Sequence, residues 1–167
     1  VSVECMSFSK SYNMAGWRLG AAVGNAEALK SLLHIKSNMD SGHFKAIYDA
    51  GIVAMGDTPE TWIAERNTIY QRRRDIILNA LDSVGLEAPH PPRGAMYIWA
   101  RLTPDNPITK ATEYVDHASQ QAHVSLAPGS AYGPGGTDYI RISVGVPDEL
   151  IVAAIERLQT WYETLRH

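Results

Sequence analysis

Residues 7–20 have the sequence SFSKSYNMAGWRLG and carry the most chemically reactive group of side chains in the chain. Lys10 closely follows Ser7, and Arg18 lies on the far side of a glycine-containing stretch. The preceding residues, VSVECMSF, place valine at alternate positions, which predicts a buried strand that ends at Ser7. The following residues, WRLGAAVGN, predict a second strand. We therefore predict a strand–turn–strand unit in which the turn brings Arg18 back towards Lys10.

Two chemistries use a lysine in this setting. Ser7 and Lys10 satisfy S-x-x-K, the acylation motif of penicillin-binding proteins, but the accompanying S-D-N and K-T-G elements do not occur in the sequence. The other chemistry is Schiff-base formation with an aldehyde, which needs an amine that is neutral part of the time. If the aldehyde is pyridoxal phosphate, its phosphate also needs donors, and Ser7, Ser9 and Arg18 supply them. We favour the Schiff base.

The composition is that of an ordinary globular protein without a membrane or nucleic-acid partner. The chain has 167 residues, 45% of them hydrophobic, and its net charge of −3 gives no general attraction to nucleic acid or anionic lipid. No apolar run approaches the roughly 20 residues that cross a bilayer, and no segment of the sequence has the pattern of a secretion signal. Cys5 is predicted to be a buried thiol, and the histidines lack metal-ligand spacing. We expect a cytoplasmic protein with no metal site.

Helical patterns fill the sequence between the second strand and residue 84. Residues 25–38 predict a helix capped by Asn25, and residues 44–55 predict another. A third helix is expected to start at Thr58 and Pro59 and to run to about residue 84. Its length is typical of a connector between two modules.

The Pro/Gly-rich stretch GLEAPHPPRG is the clearest break in the chain. After it we predict three strands, in AMYIWARL, HVSLAPG and DYIRISVGV, and two helices, in NPITKATEYVDHASQQA and PDELIVAAIERLQTWYETLRH. These elements form a compact α+β module. The segment before the connector has too few strands for an α/β layer, so we expect further strands of that sheet to come from sequence outside this chain.

Three segments together resemble the class I/II pyridoxal-phosphate aminotransferases, which have the aspartate-aminotransferase-like fold (fold type I). SFSKSYNMAGWRLG is similar to the lysine segment of that family, and PPRGAMYIWARL is similar to the strand that opens its small domain. LAPGSAYGPGGTDYIRIS is similar to its P-G-x-x-F-G…R-(I/L)-S stretch. The resemblance implies an α/β fold in which residues 1–74 are the C-terminal end of the large cofactor-binding domain. Residues 75–167 would be the small α+β domain.

The resemblance also implies roles for single residues at the cofactor. Lys10 would form the Schiff base with pyridoxal 5'-phosphate and would then move the proton from the substrate α-carbon. Ser7, Ser9 and Arg18 would bind the phosphate. The residues that protonate the pyridine nitrogen and stack on the ring precede the lysine in this family, so we expect the chain to be the C-terminal part of a longer enzyme and to be inactive alone.

At the substrate, the resemblance implies that Arg141 receives the α-carboxylate and that Tyr132 lies beside the substrate. Gly94 and Ala95 would lie where the small domain closes over the ligand. From their alternation on a strand, Tyr97 and Trp99 are predicted to be core residues. Residues 72–74 are three consecutive arginines, and they are predicted to form a solvated face of the long helix.

The loop KSNMDSG has two possible interpretations. It either approaches the partner subunit's site through Asn38 or Ser41, or it simply ends a helix.

The implied reaction transfers an amino group between an amino acid and a 2-oxo acid in a homodimer. The sequence is most similar to the subgroup that includes LL-diaminopimelate aminotransferases and related alanine or aromatic transaminases. Three alternatives remain open at this point. One is another reaction of the same cofactor, such as β-elimination or decarboxylation. The second is a non-catalytic, ligand-sensing domain of a transcription regulator, and the third is a structural fragment with no affinity for the cofactor.

Overall fold

A computed structural model describes residues 1–166, which form two compact units. The first unit is Val1–Ile63 and the second begins at Ala64. This division falls within helix α4, Glu60–Ala80. The predicted domain boundary after residue 74 falls within the same helix and stays a prediction. Within the described residues, no helix combines the length and the apolar character needed to cross a bilayer.

The first unit begins with the strand–turn–strand arrangement that the sequence predicted. Strands β1, Val3–Ser7, and β2, Gly20–Gly24, pair antiparallel. The turn between them contains the short helix α1, Phe8–Ser11, and a 3-10 turn, Ala15–Trp17. Its apolar side chains Phe8, Met14 and Leu19 form the small core of this unit.

The prediction that the first strand is buried is wrong. All residues of β1 are exposed, and so is the thiol of Cys5. The reason is the position of the core, which lies under the turn beyond the ends of the strands, while the sheet itself has only two strands. Alternating valines report a strand, but burial depends on what covers it.

Two helices complete the first unit. Helix α2 is Ala26–Met39, and the side chain of Asn25 caps it by accepting a hydrogen bond of 3.0 Å from the backbone N–H of Ala28, as predicted. Helix α3 is Lys45–Gly56, and it packs Ile47, Ala50 and Ala54 against the core under the turn.

The second unit contains a four-stranded antiparallel sheet in the order β3-β4-β6-β5. Its elements, after α4, are β3 (Leu86–Glu87), β4 (Tyr97–Leu102), α5 (Ala111–Gln121), β5 (Ala127–Pro128), β6 (Tyr139–Ser143) and α6 (Asp148–Leu165). The three predicted strands and two helices are confirmed. Strand β3 was missed because it is short and lies inside the Pro/Gly-rich break. The connector ends at Ala80, before the predicted residue 84, and a 3-10 turn, Asp82–Val84, follows it.

The two faces of this sheet differ in character. Ile98, Ala100 and Ile140 lie on one face, are fully buried and belong to the core that also contains helices α5 and α6. Because side chains alternate along a strand, Tyr97, Trp99 and Arg141 project from the other face. Helix α6 turns an apolar stripe to this core, since Ile151, Leu158 and Tyr162 are buried and Ile155 and Leu165 pack beside them. His167, the last residue of the predicted helix, lies outside the described residues.

The arginine cluster of α4 makes specific contacts. Arg72 Nε and Arg73 Nε donate to opposite oxygens of Asp148, at 2.7 and 2.6 Å, in the first turn of α6. Arg74 donates to Asp75 at 2.6 Å and to the carbonyl of Pro92 at 3.3 Å. The hydrogen bonds from Arg73 and then Arg72 hold the pKa of the Asp148 carboxyl below its usual value. The prediction of a merely solvated face is therefore wrong: the cluster joins α4 to α6.

Candidate active site

Lys10 lies on the one-turn helix α1, immediately after β1, with its side chain exposed. The hydroxyl oxygen of Ser7 caps this turn by accepting from the backbone N–H of Ser9 at 3.2 Å. Because a hydroxyl can accept and donate at once, the Ser7 proton stays available to an anion. The turn therefore carries both an exposed amine and a hydroxyl donor.

Arg18 lies at the other end of the same turn. The register pairs Ser7 with Gly20, and the backbone N–H of Phe8 donates to the carbonyl of Leu19 at 3.1 Å, so Lys10 and Arg18 belong to the same end of the hairpin. The guanidinium of Arg18 donates through Nη1 to the carbonyl of Ala15 at 3.0 Å. A guanidinium has five N–H donors, so most of them remain available to a phosphate.

The backbone at Arg18 is held by a residue that the sequence did not single out. Arg18 has φ 53°, in the left-handed region that costs a non-glycine residue about 1 kcal/mol or more. Its carbonyl lies 2.8 Å from Nε2 of His43, and the His43 ring packs edge-on against Tyr48 at 5.4 Å. His43 follows α2 in the loop before α3, and only the tertiary fold brings it to Arg18.

Arg141 lies in β6 between two neighbouring strands, opposite Trp99 of β4 and Ala127 of β5. Its guanidinium carbon lies 4.2 Å from the ring centre of Tyr97 and 4.5 Å from that of Tyr132. Among the described residues, no carboxylate forms an ion pair with it. A half-buried cation held by rings alone can bind an external carboxylate through its N–H donors.

Aromatic side chains surround this arginine. Tyr132 is 52% exposed, and Trp99 meets its ring edge-on at 5.9 Å. Trp99 also stacks on Tyr139 at 5.4 Å. The prediction that Tyr97 and Trp99 are core residues is wrong, because the alternation of β4 turns them to the face opposite the core.

Two glycines in the segment LAPGSAYGPGG shape the turn that carries Tyr132. A Cβ on Gly129 would collide with the carbonyl oxygen of Gly136, and a Cβ on Gly136 would collide with that of Gly129. Trp99 lies against both positions. The close approach of two backbone segments therefore explains these two glycines of the motif.

Gly94 lies in the irregular segment before β4 and is exposed. A Cβ at this position would meet nothing within 4 Å, whereas the next residue, Ala95, has φ 66° in the left-handed region. The predicted role of Gly94 at a closing ligand site stays a prediction, and the backbone feature of this segment belongs to Ala95.

The loop KSNMDSG forms a helix end. Asn38 donates to the carbonyl of His34 at 2.7 Å, and Asp40 accepts from Lys36 and from the backbone N–H of Gly42, both at 2.7 Å. Ser41 is exposed. In the part of the chain that the structure describes, no cluster of three or more histidine, cysteine or acidic side chains is arranged to hold a metal ion.

The model of one protein family matches most of the chain. Residues 2–158 match the family described as aminotransferase class I and II. The chain belongs to the class I and II aminotransferases. It has the mixed α/β architecture of that family.

Among curated proteins, the chain is 41% identical over 159 residues to LL-diaminopimelate aminotransferase 2 of Nostoc sp. PCC 7120. It is 43% identical over 159 residues to LL-diaminopimelate aminotransferase of Dehalococcoides mccartyi strain BAV1. These alignments cover 95% of this chain but 40% and 39% of the relatives. The chain therefore spans about two fifths of the length of these relatives.

Solved structures give the same classification. The chain is similar to a probable N-succinyldiaminopimelate aminotransferase from Thermus thermophilus, with a TM-score of 0.84 and 34% identity over 95% of this chain and 41% of that one. It is also similar to an aromatic aminotransferase from Pyrococcus horikoshii, with a TM-score of 0.87 and 25% identity over 98% of this chain and 43% of that one.

Proposed function

We propose that this chain is the C-terminal part of a pyridoxal-phosphate-dependent aminotransferase, with Lys10 as the residue that forms the Schiff base. The observation that carries the proposal is the β1–β2 hairpin, which brings Lys10 and Arg18 to the same end of the turn. Membership of the class I and II aminotransferases supports the same assignment.

The donors of the first unit fit a phosphate. Ser7 retains a hydroxyl proton while it caps α1, and Arg18 uses one of its N–H groups within its own turn. Ser9 adds a second hydroxyl on the helix. Bound pyridoxal phosphate would supply an aldehyde for the amine and a conjugated ring that accepts electrons. Lys10 would then take and return a proton at Nζ.

The second unit supplies a carboxylate site. Arg141 has a guanidinium that no carboxylate of the described chain occupies, and planar bidentate contact with a carboxylate is the strongest use of that group. We propose that Arg141 binds the α-carboxylate of the amino acid or of the 2-oxo acid. Tyr132 would lie beside the substrate, and Gly94 would lie where the site closes.

The amino donor is proposed from the relatives. Proteins named LL-diaminopimelate aminotransferases are 41% and 43% identical to this chain over the aligned residues, so LL-diaminopimelate is the first donor to test, with a 2-oxo acid as acceptor. Alanine and aromatic amino acids are the next donors. We further propose that the complete protein is a cytoplasmic homodimer.

The test uses the full-length protein that contains this segment. Added pyridoxal phosphate is expected to give the visible absorbance band of a Schiff base, and LL-diaminopimelate should convert it to the pyridoxamine form. Lys10→Ala should abolish both, whereas Lys30→Ala, which removes an exposed lysine of α2, should leave both unchanged.

Each outcome has a separate meaning. If Lys10→Ala keeps the band and the half-reaction, Lys10 is not the Schiff-base residue. If the wild-type protein shows the band but none of the amino acids tested converts it, the alternatives are a different reaction of the cofactor or a ligand-sensing role. If no band forms at all, the proposal fails.

A further inference from the structure

Two tyrosines hold the guanidinium of Arg141. Its carbon lies 4.2 Å from the ring centre of Tyr97 and 4.5 Å from that of Tyr132. The rings come from different elements: Tyr97 begins β4, and Tyr132 ends the 3-10 turn Gly129–Tyr132. Tyr97 pairs with Ser143 and Trp99 pairs with Arg141, so Tyr97 is the diagonal neighbour of Arg141 on the same face of the sheet.

The rings restrict the arginine without using its hydrogen-bond donors. A flexible arginine side chain loses rotamer entropy when a ligand fixes it. Rings that already hold the guanidinium reduce that loss, because the ordering precedes binding. Ring faces also attract the cation electrostatically without forming hydrogen bonds to its N–H groups, which therefore remain available for a carboxylate.

The second ring is itself supported. Trp99 meets Tyr132 edge-on at 5.9 Å. Tyr97 is only half-buried and Tyr132 is exposed, so neither ring is needed to fill the core of the second unit. Their common contact is Arg141.

We infer that Tyr97, together with Tyr132, is a positioning residue that holds the guanidinium of Arg141 ready for a carboxylate. This inference rests on the proposed function, in which Arg141 binds the α-carboxylate, and it adds the residue that the sequence assigned to the core. What the rings contribute is the aromatic face, so the hydroxyl of Tyr97 is dispensable.

The kinetic test compares Tyr97→Leu with Tyr97→Phe in the full-length protein. Tyr97→Leu should raise the KM for the amino acid and the inhibition constant of maleate, a non-reacting dicarboxylate, by about tenfold, because the ring's attraction is lost. The value of kcat should change less than twofold, since the carboxylate contact persists from bound substrate to transition state. Tyr97→Phe keeps the ring and should restore both constants to within about twofold of the wild type.

Tyr139→Leu is the matched control. Tyr139 lies on the same strand and face as Arg141, but its ring stacks on Trp99 and not over the guanidinium. Its loss should leave the KM within twofold of the wild type. An increase as large as that of Tyr97→Leu would mean that the aromatic surface acts only as general support, and it would overturn the inference.

A direct measurement on Arg141 needs no catalysis. In the wild-type protein, the ring currents of the two tyrosines should shift the Arg141 Nε–H resonance upfield, and Arg141→Lys identifies that resonance by its loss. The shift should fall in Tyr97→Leu and persist in Tyr97→Phe. An unchanged resonance in Tyr97→Leu would show that the ring does not hold the guanidinium.

The two proposals fail in different ways. If the wild-type protein gives no Schiff-base band, the proposed function fails, whatever Tyr97 does. If it transaminates and Tyr97→Leu leaves the KM and the maleate constant unchanged, only the positioning role fails. Should Tyr97→Leu not fold, Tyr132→Leu removes the other, exposed ring and should raise the same two constants.

Discussion

The two units of the chain differ in how much apolar surface they bury. Among the described residues, the second unit has a core of 19 buried residues, and the first unit has a core of three. Helices α2 and α3 of the first unit leave large apolar side chains exposed: Leu32, Leu33, Ile35, Met39, Ile52, Val53 and Met55. Buried apolar area is the main favourable term in folding, so the second unit has the means to be stable by itself and the first does not.

The candidate site residues of the two units differ in the same way, in how well their surroundings are packed. Lys10 and Arg18 lie on the weakly packed unit, in a turn supported by Phe8 and Leu19. Arg141 lies on a strand that is backed by fully buried side chains, such as Ile140. Arg141, the candidate carboxylate-binding residue, is therefore expected to keep its position more firmly than the turn that carries Lys10 and Arg18.

The largest expected difference between the two units is whether each one folds when it is expressed alone. Residues 58–167, expressed alone, should fold into a protein with a cooperative thermal transition and dispersed NMR resonances. Residues 1–63, expressed alone, should give neither, because three buried side chains cannot offset the entropy of ordering the unit. A dispersed spectrum from residues 1–63 would contradict the comparison directly.

Truncating one isoleucine in each unit should give effects on stability that differ almost as strongly. Ile98 has 0% exposure in the second unit, and Ile98→Ala should cost about 2–5 kcal/mol of unfolding free energy, measured by urea titration. Ile35 is 59% exposed on α2 of the first unit, and Ile35→Ala should change it by less than about 0.5 kcal/mol. Equal losses for the two variants would mean that the exposed face of α2 is covered in solution.

Sequence periodicity predicted the positions of helices and strands better than it predicted which of their side chains are buried. Asn25 was correctly placed as a helix cap, since capping depends on neighbours in sequence. Alternation located β4, but it could not say which face of the strand meets the helices, and so it assigned Tyr97 and Trp99 to the core. Burial of β1 was predicted wrongly for the same reason: a strand pattern carries no information on what covers the strand.

Contacts between residues far apart in the chain could not be predicted from the sequence pattern. His43 and the carbonyl of Arg18 are 25 positions apart in the sequence and meet only in the folded unit. The pairs that join Arg72 and Arg73 to Asp148 span more than 70 positions. Lys10 and its phosphate-binding neighbours were proposed from their residue types, and Arg141 from the family resemblance, and these roles stay predictions. The contacts of the tyrosines with Arg141 could be seen only in the folded sheet.

A smaller effect is expected from one hydroxyl in each unit. Tyr114 is fully buried in the second unit, where its hydroxyl donates to the carbonyl of Val84 at 2.7 Å. Tyr114→Phe leaves that carbonyl without its partner and should cost about 1–2 kcal/mol in urea titrations. In the first unit, the exposed hydroxyl of Tyr48 accepts from the backbone N–H of His43 at 3.0 Å. Tyr48→Phe should cost less than about 0.5 kcal/mol, because water can replace the bond.

The smallest predicted effect depends on pH. Hydrogen bonds from Arg73 and Arg72 lower the pKa of Asp148 in the folded second unit, relative to about 3.9 in the unfolded chain. A pKa that is lower in the folded state than in the unfolded state adds stability at pH values above the unfolded-state pKa. This added stability is lost as the pH falls through the folded-state pKa. Asp148→Asn should therefore lower the urea midpoint of the second unit at pH 7, and the gap to the wild type should close in strong acid.

Asp40 of the first unit provides the matched control for that measurement. Its pKa is also lowered, chiefly by the hydrogen bond from Lys36, but the pair joins neighbouring turns of one exposed helix end. Asp40→Asn should leave the urea midpoint of the second unit unchanged at every pH. If Asp148→Asn likewise has no effect at pH 7, or if its gap persists in acid, the arginine pair does not stabilise the junction of α4 and α6. The second unit would then depend on its apolar core alone.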